Sequence, residues 1–149
     1  MRIEEEIKQK SFKSEYHKLA VNIIFTHGWL VGLQKRIFDN YDITGAQFNI
    51  LRILRGQHPK PTSINMLKDR MLDKMSDTSR LIERLRIKGL VDRKICPNDR
   101  RKTEVTITKT GLSLLKELDN LELKIENSLS KIDKQEAKTV NDLLDKMRS

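Results

Sequence analysis

The run from Ser76 to Leu85, Ser-Asp-Thr-Ser-Arg-Leu-Ile-Glu-Arg-Leu, sets hydroxyls and guanidiniums at helical spacing, and the basic turn Pro97-Asn98-Asp99-Arg100-Arg101-Lys102 follows shortly after. At about 100° per residue, Thr78, Leu81, Ile82 and Leu85 share one side of a helix. Ser76, Ser79, Arg80, Glu83 and, at its edge, Arg84 take the other. These residue types recognise; they do not make or break bonds. A helix of this width fits the major groove of duplex DNA, about 12 Å across, where Arg80 or Arg84 can meet guanine edges bidentately. Ser76 and Ser79 hydroxyls, with the free amides of a capped helix start, suit phosphate oxygens. Arg100 and Lys102 at the tip of a hairpin suit the minor groove or the adjacent phosphates. A polar helix face alone is most often merely solvated, and a basic turn merely a turn, so the weight lies in their order along the chain.

Other chemistries find little here. The chain has no Gly-rich phosphate loop, nucleophile elbow or convincing catalytic triad, so an enzyme is not expected. His17, His27 and His58 form no HExxH or paired Cys/His spacing, and one cysteine cannot build a structural zinc site, so neither a metal nor a cofactor is expected. Cys96, at a strand end beside the basic turn, reads as a small half-buried residue; the sharper reading is a redox switch in which Arg93 and Lys94 favour the thiolate.

The elements that position these residues follow from apolar periodicity. Phe12, Tyr16, Leu19, Ile23, Leu30, Leu33 and Ile37 lay one stripe along a long helix ending near Asn40. Ile43-Thr44-Gly45 starts a shorter helix with Phe48, Leu51 and Leu54 inward, broken by His58-Pro59-Lys60-Pro61. Thr62 or Ser63 caps a third helix through Arg70, with Ile64 and Leu67 inward, and a turn follows at about Leu72 to Met75. Ser76 is expected to cap the fourth helix, which Gly89 closes. Val91–Cys96 and Thr103–Ile107, rich in β-branched residues, predict a hairpin. Thr108 caps a long helix with Leu114, Leu118, Leu121, Ile125, Leu129 and Ile132 in stripe. Asp133 with Glu136 predicts a capping box for a last helix with Ala137, Val140, Leu144 and Met147 on its inner face.

Composition agrees with an anionic partner. The 149 residues are 34% charged and carry a formal +9. From Thr62 to Glu104 there are twelve basic against seven acidic residues, whereas Val105 to Ser149 has eight of each, so the excess gathers on the candidate recognition segment. A single cysteine fits a reducing compartment, and no apolar run approaches the roughly 20 residues of a membrane span, so a cytoplasmic location without membrane partners is expected.

Ser76 to Val91, followed by Asp92-Arg93, then Pro97-Asn98-Asp99-Arg100-Arg101 and Ile107-Thr108-Lys109-Thr110-Gly111, resembles the MarR family of multiple-antibiotic-resistance regulators. The resemblance extends over nearly the whole chain. It implies a mainly α fold with a small β-hairpin wing, in which a winged helix-turn-helix lobe over residues 44–107 joins a helical dimerisation region over 8–40 and 109–149. It further implies a homodimer whose first, fifth and sixth helices intertwine, reaching successive grooves of a pseudo-palindromic operator. By position, Ser79 and Arg80 match the family's Thr-Arg pair on the recognition helix, and Asp99 and Arg101 its wing-stiffening ion pair. Thr78 stands where an apolar residue is usual, and Asp77 places a negative charge among the DNA-contacting positions. Phe25, Trp29 and Phe48 are candidates to line a pocket for a small aromatic or phenolic effector, as in related regulators; such residues are more often simply core.

The paired stripes argue for a dimer on their own account, because long helices with apolar seams at both chain ends bury more surface against a second copy than on one small lobe. The expected function is a sequence-specific, ligand-responsive repressor. Two alternatives stand beside it: a winged-helix protein-interaction module, and a nonspecific architectural DNA-binding protein.

Overall fold

A computed structural model describes the backbone of residues 1–96 and 99–149, with the side chains of those residues except 96, 99–102, 121 and 122. Among the described residues, seven α-helices and a three-stranded sheet follow one another as α1 (Ile3–Glu6), α2 (Glu15–Phe38), α3 (Gly45–Gln57), β1 (Thr62–Ser63), α4 (Ile64–Arg70), α5 (Thr78–Ile87), β2 (Val91–Cys96), β3 (Asp99–Ile107), α6 (Lys109–Leu129) and α7 (Lys134–Arg148). This is the mainly α fold with a small β wing that the sequence predicts. Among the described residues no helix is long and apolar enough to cross a membrane.

Side-chain caps set most helix starts. Ser14, Thr44, Ser63, Thr108 and Asp133 each accept a hydrogen bond from the amide three residues on, and Thr44–Gln47 and Asp133–Glu136 form reciprocal capping boxes. The long first helix starts at Glu15, so Phe12 lies ahead of it, and it ends at Phe38, where a 3-10 turn over Asp39–Tyr41 leads to left-handed Asp42. α5 closes as predicted. Gly89, at φ +70°, donates to the Arg86 carbonyl at 2.9 Å and Leu90 to that of Leu85 at 3.0 Å, a Schellman ending whose apolar pair, Leu85 and Leu90, is buried.

The sheet order is β1-β3-β2, antiparallel throughout, with Val91 opposite Ile107 and a register irregularity between Ile95 and Cys96. Two features depart from the sequence reading. Thr62–Ser63, expected only as a cap, also pairs with Val105 and Glu104 as an edge strand. β3 begins at Asp99 rather than Thr103; Asp99 lies opposite Cys96 beyond the register irregularity, and regular pairing starts with Thr103 opposite Ile95. A run of charged residues carries no alternating pattern, so nothing local marks this extension.

The core sits within the lobe. Leu51 and Leu54 of α3, Leu67 of α4, Ile82 and Leu85 of α5, Val91 and Val105 of the sheet and Leu115 and Leu118 of α6 form one buried cluster, reached by Phe38 from α2. Leu115 was not in the predicted stripe; Leu114, which was, is only half-buried. Gly111 holds α6 against the lobe, since a Cβ there would collide with the Leu90 carbonyl oxygen and come within 2.7 Å of Ile107 Cγ1. The stripes away from the lobe are bare. Leu19, Ile23, Phe25 and Trp29 of α2, Leu129 of α6, and Val140, Leu143 and Met147 of α7 are exposed, and α7 buries no residue.

Candidate nucleic-acid interface

Helix α5 is anchored by Thr78, Ile82 and Leu85, all buried, which turns Arg80 and Arg84 to solvent. Ser79 is half-buried on the flank nearer the wing. Neither Arg80 nor Arg84 forms an ion pair with a described residue, so both guanidiniums keep their donors for an external acceptor. Ser76, Asp77, Arg80 and Arg84 come together with Ala46 and Leu81 around one shallow concavity of about 170 Å³.

The cap of this helix is Asp77, correcting the expectation of Ser76. Asp77 Oδ1 accepts from the Arg80 amide at 3.1 Å, while Ser76 Oγ donates to Asp73 Oδ2 at 3.0 Å. Asp73 also accepts from the Met75 amide at 2.9 Å, so it organises the turn and takes the Ser76 hydroxyl with it. A charged acceptor makes the stronger cap. It also means that one first-turn amide is already engaged and that a carboxylate sits at the positive end of the helix dipole.

Each flank of α5 is tied by ions. Toward the wing, Glu83 takes a two-pronged bond from Arg86, at 3.1 Å from Nε and 2.7 Å from a terminal nitrogen, and lies 3.9 Å from Arg93 on β2. The Arg86 hydrogen bond holds the Glu83 carboxyl below its ordinary pKa, against a smaller opposing effect of burial, and raises that of Arg86. Toward the 3-10 turn, Lys88 Nζ lies 3.0 Å from Asp42 Oδ2 and also donates to the Asp42 carbonyl. Left-handed Asp42 turns both oxygens toward the end of α5. Arg84 and Lys88 share with Asp39, Asp42, Thr44 and Gln47 a cavity of about 380 Å³. Sequence reading missed these ties. Glu83 and Arg86 three apart was the available signal, but nothing local marks Asp42 as the partner of a residue 46 positions away.

The wing residues Asp99, Arg100, Arg101 and Lys102, and the thiol of Cys96, lie outside the described side chains. Of the aromatic trio, Phe48 packs on Phe38 in the core at a ring separation of 4.9 Å, whereas Phe25 and Trp29 stand on α2, 40% and 42% exposed. A cavity of about 240 Å³ opens nearby between α2 and α3, walled by Val31, Gln34, Lys35, Phe38, Ile43 and Thr44 among others, and by none of the trio.

Residues 41–102 match the sequence model of the MarR family. No curated protein matches the chain. Solved structures do. A MarR transcription factor from Planctomyces limnophilus is 29% identical over 93% of this chain and 98% of its own, with a TM-score of 0.69. Bordetella bronchiseptica BpsR, whose DNA binding is regulated by 6-hydroxynicotinic acid, is 25% identical over 89% and 99%, with a TM-score of 0.79. A mutant Escherichia coli MarR in complex with operator DNA is 24% identical over 93% and 99%, again at 0.79, and supports the fold. The matched segment, 41–102, holds α3, α4, α5, β2 and the start of β3, and the fold agrees over about nine-tenths of the chain. Residues 41–102 thus match the MarR family, and the chain as a whole is similar in its winged-helix architecture to solved MarR-type structures.

Proposed function

We propose that this protein is a sequence-specific DNA-binding transcriptional regulator, a ligand-responsive repressor that works as a homodimer on a pseudo-palindromic operator. The observation that carries the reading is α5 itself: buried on one side, tied at its end to Asp42 and facing Arg93 of β2 through Glu83, and presenting Arg80 and Arg84 to solvent without an internal ion pair among the described residues. Rigid support of this kind is what base reading needs, because a bidentate arginine pair loses its geometric selectivity when its helix shifts. Ser76, Asp77 and Ser79 sit at the entering end of that helix; Arg100, Arg101 and Lys102 belong to the wing, with Asp99 and Arg101 as its stiffening pair. The dimer is supported by the bare apolar faces of α2, α6 and α7, which favour residues 8–40 and 109–149 as the dimerisation region beside a DNA-binding lobe over 44–107. Release needs only a ligand that binds one lobe spacing better than the other. Phe25 and Trp29 remain the aromatic candidates for an effector contact completed by the second copy; Phe48 serves the core.

Selection of duplexes from the source genome by the purified protein at near-physiological salt tests this reading. Recovery of a pseudo-palindrome with half-site centres about 10 base pairs apart, or a near multiple, is the expected result. Retention without sequence preference would instead support an architectural role, and retention of no duplex a protein-binding module.

A further inference from the structure

Four arginines stand on the recognition helix and the first wing strand: Arg80, Arg84, Arg86 and Arg93. Their surroundings divide them. Arg80 and Arg84 form no ion pair with described residues, whereas Arg86 and Arg93 converge on one carboxylate, Glu83, on the wing flank of α5. Glu83 and Arg86 are each about half exposed, and Arg93 slightly less so, which puts all three within reach of a duplex lying against the helix. The other acid of α5's polar side, Asp77, is engaged as the cap.

We propose that Glu83 is a positioning residue that withholds Arg86 and Arg93 from phosphate, leaving Arg80 and Arg84 to face the duplex and favouring sequence discrimination over general affinity. The inference rests on the DNA-binding reading and deepens it. Phosphate contacts raise affinity for every sequence alike, so each guanidinium released to the backbone strengthens nonspecific binding as much as specific binding. A carboxylate that holds one guanidinium in a two-pronged bond and keeps a second 3.9 Å away by charge draws both from that use and links the wing strand to the helix.

The test compares the full-length protein with Glu83→Gln, Arg86→Ala and the double variant Glu83→Gln/Arg86→Ala. Each is titrated with a selected duplex and with an unrelated duplex of equal length between about 50 and 200 mM salt. Glu83→Gln should bind the unrelated duplex more tightly and narrow the ratio between the two. It should also steepen the plot of log affinity against log salt by roughly 1 to 2, at about 0.9 per phosphate gained. Arg86→Ala alone should leave the slope unchanged, because that side chain is already withheld; in the Glu83→Gln background it should remove about one phosphate's worth of the gain. An unchanged slope and ratio in Glu83→Gln overturns the proposal, as does a loss of discrimination confined to one base pair, which would make Glu83 a direct reader of cytosine. A parent protein that prefers no duplex overturns the regulator reading and this inference together, whereas a discriminating parent with an indifferent Glu83→Gln overturns this inference alone.

Discussion

Asp77 serves the fold and opposes the proposed ligand at one position. Its carboxylate satisfies the Arg80 amide and suits the helix dipole, while its charge repels the phosphates that the same helix end would approach. The two effects separate by substitution. Asp77→Asn keeps a capping oxygen and removes the charge, so denaturant stability should hold within a few tenths of a kcal/mol while DNA affinity rises. Asp77→Ala should cost about 1 kcal/mol of stability. A loss of affinity in Asp77→Asn with stability intact would instead assign the carboxylate a direct contact. Glu83 has a pH signature of its own. The folded-state pKa is lowered, first by the Arg86 hydrogen bond, so its stabilising contribution is present above the ordinary carboxylate range and fades as pH falls through the lowered value. The stability difference between the parent and Glu83→Gln should therefore be full at neutral pH and vanish in acid, as melting across that range would show. At this scale the outward arginines of α5 were legible, because a 3.6-residue period fixes which side chains oppose the buried ones. The identity of the cap was not: Ser76 and Asp77 are both good caps, and the choice depends on Asp73 taking the Ser76 hydroxyl.

Elements were legible where their signals are local. The caps of α4, α6 and α7, the Gly89 stop and the proline break after α3 each act within four residues, and each falls where the spacing predicts. What needed a partner was not. β1 is a strand because β3 lies beside it, and Leu115 is core because α6 packs against α3 of the lobe, a contact that a single stripe does not reveal. The motif Ile107-Thr108-Lys109-Thr110-Gly111 has a physical basis at this scale. Thr108 Oγ1 donates to the Gly89 carbonyl at 2.8 Å and accepts from the Gly111 amide at 3.0 Å, stitching the start of α6 to the end of α5. Gly111 permits the approach. Gly111→Ala would press a methyl into the Leu90 backbone, which cannot rotate away as a side chain could, and should destabilise by about 1–3 kcal/mol. Gly89→Ala should cost about 1–2 kcal/mol through the left-handed backbone alone, with no clash. Chemical denaturation of both variants checks the pair; equal, negligible effects would contradict the close packing at Gly111.

The molecule buries its lobe and leaves bare the apolar stripes of its long helices away from that lobe, and that imbalance is what the proposed dimer resolves. Phe38 at the end of α2 is buried in the lobe, whereas Tyr16, Leu19 and Ile23 along the same stripe are exposed. On α7, Ala137 and Leu144 are half-covered, and Val140, Leu143 and Met147 stand in water. Exposed apolar residues scattered singly need no partner, but here they recur along three helices outside the winged lobe. Periodicity made the stripes legible in the sequence; which of them the lobe covers depends on where α2 and α6 leave it, and the sequence alone carries no such length. Charges placed in the stripe should separate the copies without disturbing the lobe, whose core contains no α7 residue. Leu143→Glu combined with Val140→Glu is therefore expected to sediment as a monomer with native helix content. Its affinity for a single half-site should match the parent's, and its affinity for the full palindrome should fall by about 100-fold or more, because the second lobe no longer binds at the high effective concentration that linkage provides. A parent that is itself monomeric, or a charged variant that remains dimeric and keeps its palindrome affinity, would remove α7 from the interface and with it the assignment of residues 109–149 to dimerisation.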